Sequence, residues 1–330
     1  INQAATYPSP YANVHSGNIC TMGGTIGFAS TDTWKPYTIA DREKHASMLQ
    51  NFEKSLQPGL SEKTRHEKKL QFMAENGIRG FGPPRIGVFA DKQRPEPLHC
   101  EINAWQLVIN IVYQESVQRN VFDQFIKVLG APLTVSPTHK KVTEADEMPV
   151  LGCGLLFLVP FFQDHYKDDK KRFNKIPVRL IGEQAVAIAR YGYRLVDSLQ
   201  LPDESPAQEV KRLSLSRIVL YLRNACTTFN KVTTTKADLL ELEDNCKLFF
   251  NLLCLFFPTH VNVTSWTIGY ALPYHALKLF NTYEVGYGII SLQGKEAKHS
   301  AVKNDSELSN RSKKSFLVCE NCTCFHVHNC

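Results

Sequence analysis

No run of apolar residues in this chain is long enough to cross a bilayer as a helix, which takes roughly 20. The two nearest approaches are interrupted: Val150 to Phe162 carries Gly152, Cys153, Gly154 and Pro160, and Leu248 to Phe257 carries Asn251. Buried core helices account for both, and no membrane partner is expected. The sequence also lacks a Gly-rich Walker loop, a G-x-S-x-G elbow and an H-E-x-x-H pair. Chemistry that depends on those motifs therefore has no footing in it. Internal repeats and low-complexity segments are absent. Neither sign of charge dominates: 38 Lys and Arg against 32 Asp and Glu leave +6, enough to permit a nucleic-acid partner without demanding one. The start, Ile1-Asn2-Gln3, has no basic and apolar leader, as expected of a processed product or part of something longer.

What is present is mostly helix-forming. Thr38 can cap a helix with Asp41 in the reciprocal position, Met48, Leu49, Phe52 and Leu56 marking its buried stripe and Pro58-Gly59 its end. Ser61 opens a highly charged helix closed by Asn76-Gly77. From Leu98 the spacing of Ile102, Trp105, Ile109 and Val112 predicts one apolar helical face, and Val121 to Leu129 predicts a second helix closed by Gly130. Residues 131–149 read as a linker, and Lys167 to Lys175 as a solvated turn of mixed charge. A helix over Gly182 to Leu199 turns Ala185, Ile188, Leu195 and Leu199 inward. Ser205-Pro206-Ala207-Gln208 is the clearest helix start in the chain, and Ala237 to Phe257 is a long apolar helix ended by Pro258. Ser265 is expected to cap a further helix that Pro273 kinks. At the front, Asn18 to Met22, Thr25 to Ala29 and Arg85 to Phe89 read as short strands. The fold class is therefore mainly α, with a small β portion at the N-terminus.

Functional candidates cluster late in the chain. In a helix from about Ser291, the residues Glu296, His299, Ser300 and Lys303 share one stripe. A carboxylate there can hold a divalent metal, while Lys295, Lys298, Lys303 and Arg311 can face an anionic polymer; a solvated face is the plainer account. Asp32 and Glu101 are the other carboxylates that pattern nominates, although Asp32 also suits a turn and Glu101 a helix cap. The ten cysteines are scattered except for four in the last twelve residues. Several sit in apolar helical patterns, which points to a reducing compartment. The tail supplies Cys319, Cys322, Cys324, His326, His328 and Cys330, the ligand types of a Zn²⁺ site, with only three residues between Cys322 and His326.

Pro97-Leu98-His99-Cys100-Glu101-Ile102-Asn103-Ala104 resembles a stretch of the recombination-activating-gene recombinase family, relatives of the Transib transposases, in which Leu-His-Cys-Asp-Ile-Gly-Asn-Ala stands. Further pieces resemble that family in the same order: Ile19-Cys20-Thr21-Met22 its zinc-ligand strand, Arg179-Leu180-Ile181-Gly182 the entry to a helix of its insertion domain, and Gly288 to Glu296 with Lys298 to Arg311 its last catalytic segment. The resemblance implies a ribonuclease-H-like core with a helical insertion, and nuclear DNA cutting and joining with Mg²⁺ or Mn²⁺ held by Asp, Asp and Glu. Carried over, Glu296 matches the Glu, while no residue matches either Asp. Of the family's zinc ligands, Cys20 matches one Cys and His275 one His, with Gly23 standing where the second Cys should be. The expected organisation is a core remnant (1–97), a helical insertion domain (98–286), a closing helix with Glu296 (287–312) and a Cys/His-rich tail (313–330). The expected function is a transposase-derived DNA-binding protein or fragment, catalytically incomplete alone, acting as a homodimer or with a parent transposase. Alternatives are the C-terminal part of an active Asp-Asp-Glu transposase, and a helical protein-interaction scaffold.

Overall fold

The computed structural model describes residues 9–17, 19–20, 34–78, 80, 92–134, 151–176 and 179–291. These residues form a mainly helical protein. Its helices are α1 (Ile39–Ser55), α2 (Glu62–Glu75), α3 (Pro97–Gln118), α4 (Phe122–Gly130), α5 (Val159–Lys167), α6 (Gly182–Asp197), α7 (Pro206–Phe229), α8 (Lys236–Phe256), α9 (Val263–Trp266) and α10 (Leu272–Tyr283).

The core is built around α3. Pro97 stands in its first turn, and the Glu96 carboxylate accepts hydrogen bonds from the backbone N–H groups of Leu98 (3.1 Å) and His99 (2.8 Å), so Glu96 and not Glu101 is the cap. Trp105, Ile109 and Val112 are buried as their spacing predicts. So are Leu107, Val108, Ile111 and Tyr113, so α3 is covered on most sides, by α4, α6, α7 and α9. Burying each such side chain stabilises the fold by roughly 1.5–3 kcal/mol. The turn after α5 is pinned to this helix: Tyr113 Oη donates to Arg172 O (2.8 Å), and Ile176 N–H donates to Asn110 Oδ1 (2.8 Å).

The helices α7 and α8 form a hairpin and pack on each other more extensively than any other pair. Reciprocal capping boxes start both, Ser205 with Gln208 and Thr235 with Asp238. Inside the hairpin lie Leu215, Ile218 and Leu222 of α7 against Leu242, Cys246, Phe249 and Leu253 of α8. The stretch Leu248 to Phe257 is thus core, as expected. Tyr287 closes the far end, donating its buried hydroxyl to Pro95 O (2.7 Å). Gly286 and Gly288 there donate to Val232 O and Lys231 O across a backbone approach that a Cβ would block.

A smaller cluster, Leu49, Met73 and Ile78, joins α1 to α2, with Phe52 stacked on Phe72 at 4.1 Å. The segment 34–38 runs beside residues 11–13 through a single bridge, Ala12 to Pro36. From it Trp34 meets Trp266 and Tyr274 edge to face.

Several expectations need correction. Among the described residues no strand forms; Ile19 and Cys20 lie in a turn, while 21–33 and Arg85 to Phe89 are outside them. Asn262, not Ser265, caps α9, with Ser265 as its reciprocal partner. The irregularity assigned to Pro273 begins earlier, as a π turn over Thr267–Ala271 in which Leu272 N–H bonds to Thr267 O. Gly269 sits there against Phe250, leaving no room for a Cβ. The apolar stretch 151–162 is not a buried helix throughout: Leu156, Phe157 and Phe161 are 69%, 50% and 59% exposed.

Candidate anion-binding cleft

The N-terminal segment, the start of α1 and the outer face of α10 enclose a hollow of about 180 Å³. Each wall follows from local sequence. The Thr38 hydroxyl accepts from Asp41 N–H (3.2 Å) while the Asp41 carboxylate accepts from Thr38 N–H (2.9 Å), fixing where α1 begins. One helical turn on, Arg42 reaches back to donate from Nη2 to Pro10 O (2.8 Å), and its guanidinium lies over the Tyr37 ring, 5.4 Å from the centroid. On the opposite wall Tyr274 and Lys278 stand four apart on one face of α10, with His275 between them. Tyr11 meets His275 edge to face at 6.1 Å.

The electrostatics have one sign. Among the described residues no carboxylate lines this hollow, whereas Arg42 and Lys278 do. His275 is 8% exposed and its Nε2 has no hydrogen-bond partner. Burial, aided by the nearby charges of Arg94 and Lys278, pushes its pKa down to about 4, so the ring is neutral at pH 7. The Nε atoms of Arg42 and Arg94 are likewise buried without a partner. The two arginine Nε–H groups are true donors, and leaving a buried N–H unmet costs about 1–3 kcal/mol, so this side of the fold favours negative charge over positive.

The hollow meets a larger one, of about 720 Å³, at Pro36, Tyr37 and Thr38. Asp41, Glu75 and Lys35 line this second space, together with Asn13, His45 and Asn76. Its polarity is mixed, and the Asp41 carboxyl is held below the usual carboxylate range by its bonds to Thr38.

The residues nominated from sequence are distributed differently. His275 belongs to the cleft, but Cys20 lies elsewhere, its Sγ 3.9 Å from Pro258 O and hydrogen-bonded to the thiol of Cys254. That bond lowers the Cys20 pKa and, with burial, raises that of Cys254. Among the described residues no three His, Cys, Asp or Glu side chains gather as a metal site. Cations beside His275 also oppose Zn²⁺, so the pair Cys20 and His275 does not fit that ion. Glu101 accepts from Asn230 Nδ2 (2.8 Å) in a hollow shared with Arg190 and Arg223. Burial raises its pKa against the effect of that bond, an environment unsuited to a divalent cation. Glu296, Lys295, Lys298, His299, Lys303 and Arg311 lie outside the described residues, as do Asp32 and the tail ligands Cys319, Cys322, Cys324, His326, His328 and Cys330. Sequence reasoning missed Tyr11, Tyr37, Arg42, Arg94, Tyr274 and Lys278; only the i, i+4 pair on α10 left any signal.

No protein-family model matches the chain, and no curated protein matches it closely enough to count as a relative.

Proposed function

We propose that this chain is a DNA-binding protein derived from a transposase, contacting phosphates through the cleft between α1 and α10. The observation that carries the reading is a hollow lined by Arg42 and Lys278 and, among the described residues, by no carboxylate, with Arg94 close enough to act on His275. Two further features support it. Of the stretches that resemble the recombination-activating-gene recombinases, Pro97 to Ala104 opens α3, and Arg179 to Gly182 leads into α6. Glu296, with Lys295, Lys298, His299, Lys303 and Arg311 nearby in sequence, supplies one carboxylate of a set that would hold Mg²⁺ or Mn²⁺ in a complete enzyme.

The test is the salt dependence of DNA affinity for the full chain. Two phosphate-contacting cations give a slope of log K against log salt of about −1.5 to −2. A flat response would sink the reading.

The exposed Leu156, Phe157 and Phe161 favour a second reading, a helical scaffold that binds protein through this patch. Replacing Phe157 and Phe161 by Ser would then abolish capture of the partner while leaving the DNA titration unchanged.

A further inference from the structure

Cys20 and Cys254 are far apart in sequence, yet their thiols are hydrogen-bonded to each other. Cys254 lies in the last turn of α8, 3% exposed, and offers its S–H to the sulfur of Cys20. Cys20 lies in a turn that ends the N-terminal segment, half-buried against the core, with its Sγ 3.9 Å from Pro258 O. Neither is in a disulfide. Their chemistry differs. The bond from Cys254 lowers the Cys20 pKa to about 7, so much of Cys20 is thiolate at neutral pH. The same bond and burial raise the pKa of Cys254. A half-buried thiolate beside a buried thiol is the arrangement of an attacking and a resolving cysteine. Cys100, Cys153, Cys226 and Cys246 are enclosed in the core, where burial raises the pKa of each.

We propose that Cys20 and Cys254 form a reversible thiol–disulfide site, oxidised by a low-molecular-weight disulfide of the glutathione class. The inference is independent of the DNA-binding reading. The Cys20 thiolate attacks one sulfur of the small disulfide, which forms a mixed disulfide and expels the other half as a thiolate. Capping removes the negative charge that held the Cys254 proton, and the expelled thiolate takes that proton. The Cys254 sulfur then attacks Cys20 Sγ, and the second small thiolate leaves. Each protein thiol has lost one hydrogen, and the reagent has taken up two electrons and two protons to become two small thiols. The thiols are already in contact, and Cys20, outside any helix, can close the remaining gap without breaking helical hydrogen bonds. The bond clasps the N-terminal segment to the end of α8. That segment carries Pro10 O, which accepts from Arg42, and Tyr11, which meets His275, so oxidation fastens one wall of the hollow between α1 and α10. A transient bond of this kind suits a protein whose other thiols stay reduced.

The experiment incubates the freshly reduced full chain with oxidised glutathione at pH 7, quenches with acid and maps the peptides by mass spectrometry. The expected product joins the Cys20 and Cys254 peptides with loss of two hydrogens, and dithiothreitol restores both thiols. Cys254→Ala should stop halfway, with glutathione held on Cys20. Cys20→Ser should leave Cys254 reduced. The linked chain should melt about 5 °C above the reduced one, because closing a long loop restricts the unfolded chain. The Cys20→Ser chain, oxidised alongside, corrects for bonds made by other cysteines, and circular dichroism checks the fold of both variants. Glutathione left on Cys20 of the parent chain overturns the resolving role of Cys254. Bonding of Cys20 to Cys319, Cys322, Cys324 or Cys330 overturns the pairing. Cys20 recovered as a free thiol overturns the site altogether. A linkage that leaves the melting temperature unchanged overturns the clasp.

Discussion

Glu204→Gln should be among the costliest single changes in the fold, and the reason lies in how one carboxylate is shared. Glu204 sits between α6 and α7 with its side chain 8% exposed, and it accepts from two arginines. Arg119 Nη1 reaches Oε1 at 2.5 Å, and Arg212 reaches Oε2 from Nε (3.0 Å) and Nη2 (2.8 Å). Arg119, 4% exposed, also donates to Gln208 O (2.9 Å) and pairs with Glu115, which Lys211 neutralises in turn. The amide of Gln keeps the shape, removes the charge and turns an NH₂ toward one guanidinium. Breaking a buried pair from one side costs about 3–5 kcal/mol. Because Arg119 keeps Glu115 and a carbonyl, the lower end applies, about 3 kcal/mol. At roughly 2 °C per kcal/mol for a chain of this size, the melting temperature should fall by about 6 °C. Arg119→Met should cost less, about 2 kcal/mol, since both carboxylates retain a cation and only carbonyl acceptors are stranded. The pH dependence has a definite sign. The arginines depress the folded-state pKa of Glu204 below its ordinary value. Its contribution is therefore complete above the unfolded carboxylate pKa, near 4.3, and is lost as pH falls through the lower folded value. The parent and Glu204→Gln melting curves should be well separated at pH 6–7 and converge below pH 4. A Glu204→Gln melting temperature within 1 °C of the parent at pH 7, or a larger loss from Arg119→Met, would refute the reasoning.

Other outcomes follow from close contacts and from thiol chemistry. A Cβ at Gly288 would lie 2.2 Å from Asn230 O and 2.6 Å from its carbonyl carbon, so Gly288→Ala should cost about 1–3 kcal/mol in urea unfolding. The cost should arise from backbone displacement, so deleting the Asn230 side chain by Asn230→Ala should not rescue it. Alkylation by iodoacetamide at pH 7, followed by peptide mapping, should modify Cys20 well before Cys100, Cys153, Cys226 or Cys246. Cys20 is half-buried with its pKa lowered by Cys254, whereas burial raises the other four. Equal labelling of Cys20 and Cys100 would show that the thiol pair does not exist.

The helical order of the chain was legible because punctuation and periodicity agreed. Thr38 with Asp41, Ser61, Ser205-Pro206 with Gln208 and Pro258 mark boundaries by local hydrogen bonding and steric exclusion, which tertiary contacts rarely override. Ser265 misled because a serine serves equally as cap or as the third residue of a box, and Asn262 outcompetes it. Glu101 misled in the same way, since Glu96 sits where both first-turn N–H groups can reach it. The stretch 151–162 looked like core because composition records how apolar a run is, not which side the rest of the chain covers. The cleft was almost illegible for a different reason. Tyr11, Arg42, Arg94 and His275 are far apart in sequence, and only the closing of the N-terminal segment onto α10 brings their side chains to one place. His275 was singled out as a metal ligand, and the Nε2 that would bind metal is the same atom that stands open among cations.

The π turn at Thr267–Ala271 sets the rotational phase of everything after it. It holds one residue more than an α-helical path would need. Rewinding these five residues as regular helix, with none removed, would swing α10 by about 100° about its axis. Tyr274, His275 and Lys278 would then point away from Arg42, and buried Leu279 would be carried toward water. A change of winding far from any charged group would thus leave a helix of normal content and no cleft, so the spacing of this turn, as much as the side chains it aims, determines whether the hollow between α1 and α10 exists.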